Sequence, residues 1–422
     1  MLHTEDITVR RLLLSGNFGL EKEMLRITPD GYMAQTQHPF PQDEPYITRD
    51  FCENQVEINT PVYRSIEETV DSLRRITERI KQKLAGKELL WPFSNPAYVT
   101  NEDDIRIAKF HGDMAEKTTY RRYLAERYGK YMMTLSGIHF NYSFSGELLR
   151  RNYEVETGKR IDKDTADIDY SAYETTLYLK LAEKMMAYGW VVTVLTAASP
   201  VMDPSFPDAP HDMASVRCSE HGYWNTFLPA LSYDSNSSYV DSIQKYLDNG
   251  SIATLSELYY PVRLKPRGSN TIEQLRLYGI NHIELRTIDL NPLCNAGVEE
   301  KDIAFAQLLM IWLSCLPDIS LTPELQQKAI LNYKNAAHFS LKDTFITTID
   351  GNEIPLGKAS LDILNAMSCF YDSIGIDVCE VMDFQKRKLL QPERYRYADI
   401  IKKEYTDNFV EKVLKKISGG LY

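Results

Sequence analysis

The chain has 422 residues, 43% apolar and 25% charged, which is ordinary globular usage and enough length to bury a large core. A formal net charge of −11 excludes the basic stripe that nucleic acid or an anionic membrane requires. Anionic ligands stay open, because clustered carboxylates can hold Mg²⁺ and bind phosphate through it.

The cysteines (52, 218, 294, 315, 369 and 379) are scattered, with no CxxC, which speaks against a zinc site of standard spacing. No basic segment followed by an apolar run opens the chain, and the longest apolar run, 190–202, is interrupted by Thr, Ser and Pro. A reduced, cytoplasmic protein without a signal peptide is predicted.

In chain order, the first strong element is a strand over 19–27, whose alternation puts Glu21, Glu23, Leu25 and Ile27 on one face. Two such carboxylates lie about 7 Å apart and could bracket a hard cation, although a pair alone usually faces water. The strand turns at Thr28-Pro29-Asp30-Gly31, and a polar connection over 36–45 leads to 46–51. A strand over 55–59 is closed by Pro61. Ser65 and Glu68 have capping-box spacing, and the helix behind them carries Ile66, Val70, Leu73, Ile76, Ile80 and Leu84 on one face, stopping near Gly86. A stiff loop over 91–96 precedes a Tyr- and Arg-rich helix over 120–131 that ends near Gly129. The strand over 134–144 sets His139, Asn141 and Ser143 opposite Ile138, Phe140, Tyr142 and Phe144.

A helix over 171–188, the apolar segment 190–200 and polar loops over about 202–238 follow. The strand over 283–288 places Glu284 and Arg286 on one face. Beyond Pro292 the pattern is helical: 302–316, a helix with Pro323 first behind Thr322, 361–374 and 400–417. Strands scattered among long helices, with no internal repeat, predict an α+β fold.

Laid on one antiparallel sheet, the polar strand faces supply Glu21, Glu23, Glu57, His139, Asn141, Glu284 and Arg286. Carboxylates at this density repel one another and need cations. Oxygen donors with one imidazole suit Mg²⁺ or Mn²⁺, ions that neutralise phosphate in ATP-dependent ligases and kinases. Arg286 beside Glu284 would stabilise charge on a transferred phosphoryl group. Neither GxxxxGK[ST] nor GxGxxG is present; 351–360 has the wrong spacing and reads as a turn and helix start. Any use of ATP would run through metals on a sheet. Each alone, His139 would be a satisfied core histidine, Arg217 and Tyr223 solvated loop residues, and Cys52 and Cys218 inert.

Gly19-Leu20-Glu21-Lys22-Glu23, Thr48-Arg49-Asp50-Phe51, Glu57 before Thr60-Pro61, Trp91-Pro92, Arg127-Tyr128-Gly129, Ser136-Gly137-Ile138-His139-Phe140-Asn141 and Ile283-Glu284-Leu285-Arg286 stand in a telling order. Together they resemble the bacterial glutamate–cysteine ligases, stand-alone or as the N-terminal half of bifunctional glutathione synthetases, over about 16–316. The resemblance implies an α+β fold with a glutamine-synthetase-like curved antiparallel sheet flanked by helices. It further implies one domain over 1–422, with a catalytic core over 1–316 and a mostly helical region over 317–422. The implied reaction joins the γ-carboxylate of L-glutamate to the amine of L-cysteine through γ-glutamyl phosphate. It is the first step of glutathione biosynthesis and uses ATP and two or three Mg²⁺, with Mn²⁺ an alternative. Metal ligands by resemblance are Glu21, Glu23, Asp50, Glu57, His139 and Glu284, of which Asp50 comes from the resemblance alone. Arg286, Glu284 and Glu21 would be catalytic. Arg286, Arg263, Lys265, Tyr259 and Asn141 would meet nucleotide and phosphate. Phe51, Tyr120, Arg121, Leu124, Met133, Arg217 and Tyr223 would bind the amino acids. The partners would be these small molecules, without nucleic acid or membrane, in a monomer or small homo-oligomer.

Two departures stand out. Where stand-alone members carry Gln ahead of Thr-x-Ser-Gly-x-His, this chain has Met133, so a hydrogen-bonding amide becomes a thioether and the choice of amine acceptor opens. The chain ends at Tyr422, shorter than the stand-alone enzymes, and 317–422 matches the resemblance poorly; with no ATP-grasp half expected, glutathione itself is not the expected product. The rival readings are the same chemistry on another amine, and a catalytically silent binder of nucleotide or amino acid.

Overall fold

A computed structural model of the protein describes residues 1–160 and 168–420. At its centre runs β1 (Gly16–Ile27), hydrogen-bonded along both edges. On one side lie β3 (Gln55–Asn59) and β2 (Ile47–Arg49); on the other lie β5 (Gly137–Phe144), β7 (His282–Asp289) and β6 (Val262–Lys265). The order is β2-β3-β1-β5-β7-β6, every neighbour antiparallel, and β4 (Leu89–Leu90) pairs with the end of β1. The α+β expectation holds, although β2, β4 and β6 were not foreseen as strands.

Register carries the alternation across the sheet. Glu21 faces His139 and Asn59, Glu23 faces Glu57, and Asn141 faces Glu284, which in turn faces Arg263. These side chains therefore share one face. The other face presents Phe18, Leu20, Met24, Val56, Ile58, Ile138, Phe140, Tyr142, Ile283 and Leu285 to a large apolar core. Between β5 and β7 the ladder slips: Ile138 faces Ile288 but Phe140 faces Leu285, so Arg286 and Thr287 together oppose His139. This bulge keeps Glu284 and Arg286 on the polar face and returns Ile288 to the core.

The helix Ile66–Leu84 packs on the core face for the reasons its sequence gives. Ser65 accepts from the Glu68 amide at 3.1 Å, a cap contributing about 1 kcal/mol. Val70, Leu73, Ile80 and Leu84 are buried, each side chain contributing about 1.5–3 kcal/mol. Lys22 breaks the apolar pattern of this face. Its ammonium is buried, donating to the Ala296 carbonyl at 2.8 Å and the Thr77 hydroxyl at 3.4 Å, and burial pulls its pKa down to about 7.

The helical elements differ from the sequence reading at several boundaries. The helix expected over 120–131 is Glu116–Tyr128, followed by a separate turn over Met132–Thr134. The one expected over 361–374 starts earlier, at Leu356, because Pro355 supplies its start. The helix expected over 400–417 is two, Tyr397–Tyr405 and Phe409–Ser418, since Asn408 takes the left-handed conformation (φ 54°) that a helix interior cannot contain. A two-stranded hairpin, Phe345–Thr347 with Glu353–Pro355, lies within the region expected to be mostly helical. Leu356, Leu364, Met367, Tyr371 and Met382 join the same apolar core as the sheet. Among the described residues, no helix is long and apolar enough to cross a membrane.

A buried polar hub ties the later helices to the helix Glu300–Cys315. Asp302 receives the Lys388 ammonium at 2.5 Å, the Tyr397 hydroxyl at 2.9 Å and the Gln385 amide at 2.9 Å. Removing the carboxylate strands an ammonium in the interior, so Asp302→Ala should cost about 3–5 kcal/mol in urea unfolding. Removing both charges with Asp302→Leu and Lys388→Met should cost clearly less. Equal costs for the two variants would show that the ion pair is not what holds these helices.

Candidate active site

The polar face of the sheet floors a cavity of about 400 Å³. Glu21, Glu23, Glu57, His139, Arg263, Lys265, Glu284 and Arg286 reach it from the strands. Asp50 and Phe51 reach it from just past β2, and Tyr120, Arg121 and Leu124 from the helix Glu116–Tyr128. Met133, Arg217, Tyr223 and Tyr259 complete the expected set around it. Asn141 does not line the cavity. Its amide donates to Glu21 at 3.0 Å and fixes that carboxylate from the side.

Three ligand-type groups, Glu21, His139 and Glu284, bring their donor atoms within 4.8 Å of one another. His139 Nδ1 lies 3.0 Å from Glu21 Oε2 and 3.5 Å from Glu284 Oε1. Glu284 is caged by cations: Arg286 Nη1 at 3.1 Å, Lys265 Nζ at 3.4 Å and Arg263 Nη1 at 3.6 Å. Burial pushes the Glu284 carboxyl up, but these cations outweigh burial and hold it well below the usual carboxylate range. Glu21 is also lowered, burial and Glu284 being outweighed by the hydrogen bond and charge of His139 together with Lys265. Burial, with Arg286, takes the imidazole down to about 4, so the ring is neutral near pH 7.

The opposite charge pattern holds one strand away. Burial, then Asp50 and Glu21, push the Glu57 carboxyl up to about 8, and burial with Asp50 raises Glu23 well above its ordinary value. Glu23 accepts from the Gly137 amide at 3.1 Å and lies 3.7 Å from His139 Nε2, and Glu57 accepts from the Asn59 amide at 3.1 Å. Crowded carboxylates with one imidazole are a donor set that suits hard divalent cations, and Glu284 Oε2 is buried without a hydrogen bond. The residues fit Mg²⁺ or Mn²⁺.

The walls are fixed by backbone contacts. The Arg121 guanidinium sits 4.7 Å over the Phe110 ring and donates to the carbonyls of Asp50, Lys117 (3.0 Å) and Arg49 (3.4 Å), so it holds the segment that carries Asp50 and Phe51. Buried Glu257 accepts from Tyr128 (2.8 Å) and Tyr123 (3.2 Å) and pairs with Arg127 (3.2 Å), docking that helix on the approach to β6. Tyr223 donates to the Leu135 carbonyl at 3.0 Å. Phe51, Leu124, Met133 and Tyr259 belong to one apolar cluster, which makes that end of the cavity oily. Lys117, Trp224 and Thr287 also line the cavity and were not singled out, and Cys218, expected to be inert, lines it as well. Helical spacing from Tyr120 and Arg121 would have found Lys117; Thr287 is exposed to the site by the bulge, which alternation hides.

Arg217 reaches the floor over Gly137. Its Nη1 donates to the Arg286 carbonyl at 2.9 Å, and a Cβ at Gly137 would lie 2.1 Å from its Cζ. Gly137→Ala should therefore expel the guanidinium and cost about 1–3 kcal/mol of stability, read by thermal unfolding. An unchanged melting temperature would mean that the arginine packs elsewhere.

Glu57 generates a second prediction. A folded-state value of about 8 against an ordinary 4.5 means that the stability this group contributes is present below pH 4.5 and is lost as pH rises through 8. Without metal, Glu57→Gln should gain on the wild type across that window, and saturating Mg²⁺ should erase the gain. A difference in melting temperature that does not vary with pH would show Glu57 ionised throughout.

The glutamate-cysteine ligase family profile matches residues 3–255 and 244–336. The glutathione biosynthesis bifunctional protein GshAB of Listeria monocytogenes serotype 4b (strain F2365) is 35% identical, over 96% of this chain and 54% of that protein. Its namesake in Enterococcus faecalis (strain ATCC 700802 / V583) is 36% identical over 72% of this chain and 40% of that protein. The similarity thus runs past residue 316, and the chain spans about half the length of the curated relatives it matches. A bifunctional glutathione synthetase from Pasteurella multocida superposes with a TM-score of 0.81 at 26% identity, over 98% of this chain and 54% of that one. The glutamate–cysteine ligase of Francisella tularensis, solved with AMP, shares the fold with a TM-score of 0.83 at 21% identity, over 96% of this chain and 89% of that one. The chain belongs to the glutamate–cysteine ligase family.

Proposed function

We propose that this chain, as one catalytic unit, is an ATP-dependent ligase joining the γ-carboxylate of L-glutamate to the amine of L-cysteine through γ-glutamyl phosphate. The observation that carries the reading is the caged Glu284, where Arg286, Lys265 and Arg263 converge beside the Glu21–His139 pair. A silent binder has no use for three cations trained on one carboxylate at a cation site. Membership of the family and the relatives' names support cysteine as acceptor.

A carboxylate does not condense with an amine in water until its oxygen is made a leaving group, which phosphorylation does. Positioning and charge neutralisation are then the protein's work. Mg²⁺, held by Glu21, His139 and Glu284 and by Glu23, Asp50 and Glu57, would supply neutralisation of the phosphate oxygens when bound. Arg286, Arg263 and Lys265 orient the transferred group and stabilise its charge. Arg217 meets an amino-acid carboxylate, and Arg121 sets the position of Asp50 and Phe51. The oily end, with Met133 and Leu124, takes the acceptor side chain. No protein nucleophile is needed.

Glutamate-dependent ADP release with Mg-ATP, followed across cysteine, 2-aminobutyrate, serine, glycine and simple amines, tests the reading. Cysteine should be preferred, and chelation of the metal should abolish release. Glu21→Gln, Glu284→Gln and Arg286→Gln should each lower turnover about 10²–10³-fold or more. Release with another amine would move the acceptor while keeping the chemistry. Failure with every acceptor, from folded protein that binds ATP, would favour the silent binder.

A further inference from the structure

The buried ring of His139 faces two incompatible demands. A neutral imidazole has one N–H and one lone pair. Glu21 Oε2, which can only accept, lies 3.0 Å from Nδ1, while Arg217 Nη2, which can only donate, lies 3.2 Å from Nε2. The weaker neighbours are Arg286 Nη1, 3.5 Å from Nδ1 but already donating to Glu284 at 3.1 Å, and Glu23 Oε1, 3.7 Å from Nε2. The short contacts decide: Nδ1 carries the proton and the Nε2 lone pair serves Arg217. Yet Nδ1 is the nitrogen that faces both Glu21 and Glu284, and a cation among those three groups must take the Nδ1 lone pair.

We propose that Arg217 and a divalent cation compete for the single lone pair of His139, so that filling the cation site frees Arg217 to bind a substrate carboxylate. When the cation claims Nδ1, the proton moves to Nε2, where an arginine N–H opposes it donor against donor. Glu23 Oε1 stands ready to accept the new N–H. Arg217 keeps its bond to the Arg286 carbonyl through Nη1 and loses the one through Nη2. Its Nε–H is already buried without a partner, although the side chain lines the cavity and the residue is only 6% exposed. Nε and the released Nη2 form one edge of the guanidinium, the fork that takes a carboxylate in two parallel hydrogen bonds. That the carboxylate belongs to glutamate rests on the ligase reading above.

By reciprocity, a carboxylate on Arg217 must tighten the cation site, since it removes the competitor for His139. Two measurements on the full chain, without ATP or turnover, test this. In protein labelled with ¹⁵N-histidine, the His139 resonance, identified by its loss in His139→Gln, should show Nδ1 protonated without metal and Nε2 protonated at saturating Mg²⁺. The same nitrogen protonated in both states would overturn the proposal. Mn²⁺ affinity, read by electron paramagnetic resonance of free Mn²⁺, should tighten about fivefold or more when L-glutamate is added to the wild type. Arg217→Lys keeps the charge but loses the fork, so the glutamate effect should vanish there. Full coupling in Arg217→Lys, or a ring that changes tautomer with no coupling in the wild type, would overturn the role given to Arg217. Should the variant fail to fold, the two wild-type experiments still decide. Because neither needs a reaction, the ligase reading fails separately, on the acceptor panel.

Discussion

Repulsion between carboxylates on one face of a sheet is the constraint from which the rest of this site follows. Glu21 and Glu23 alternate on the central strand, and the strands on either side add Glu57 and, one further out, Glu284. Such groups in a partly dry cavity cannot all stay ionised unless positive charge stands among them. The protein answers on one side only. Arg286, Lys265 and Arg263 surround Glu284, whereas Glu57 and Glu23 have no such cage, and burial with Asp50 pushes both carboxyls up. The face is thus divided between carboxyls that neighbouring cations and His139 pull down and carboxyls that burial pushes up.

Backbone irregularity sets where the balancing charges can stand. The extra residue in β7 keeps Arg286 pointing at His139 and Glu284 while Ile288 returns to the core; a regular ladder would force a choice between the two. On β5 the lack of a side chain at Gly137 leaves the space that the Arg217 guanidinium fills. These two devices sit on adjacent strands and bring their guanidinium groups to the same imidazole. The geometry of the site depends as much on one bulge and one glycine as on the charged residues themselves.

Much of this was legible in the sequence, and the parts that were not share a physical reason. Period-two alternation is a local property, so it placed Glu21, Glu23, Glu57, His139, Asn141 and Glu284 on one face without knowledge of strand order. Asp50 lies just past the end of β2, beyond the reach of alternation, and entered only by resemblance. Cavity lining by Arg217 depends on a turn held by Gly222, whose absent Cβ would meet the Arg217 carbonyl at 1.7 Å, a contact between residues that no periodicity links. Asn141 shows the opposite limit: the pattern put it on the correct face, but only register reveals that it spends its amide on Glu21. The helix expected over 400–417 failed for a local reason, a single Asn whose left-handed conformation interrupts an otherwise continuous apolar stripe.

Charge arithmetic links the two halves of the face. Five carboxylates (Glu21, Glu23, Asp50, Glu57, Glu284) and six side-chain cations (Lys117, Arg121, Arg217, Arg263, Lys265, Arg286) line the cavity, with Arg121 committed to backbone carbonyls. Burial and crowding push the Glu23 and Glu57 carboxyls up, which favours their protonated forms and lowers the negative charge of the floor. Divalent ions would displace those protons and reverse the local pKa logic, so proton release and cation uptake are the same event seen from two sides. The carboxylate spacing on β1 thus decides where protons, ions and guanidinium groups must share one face, before any substrate is considered.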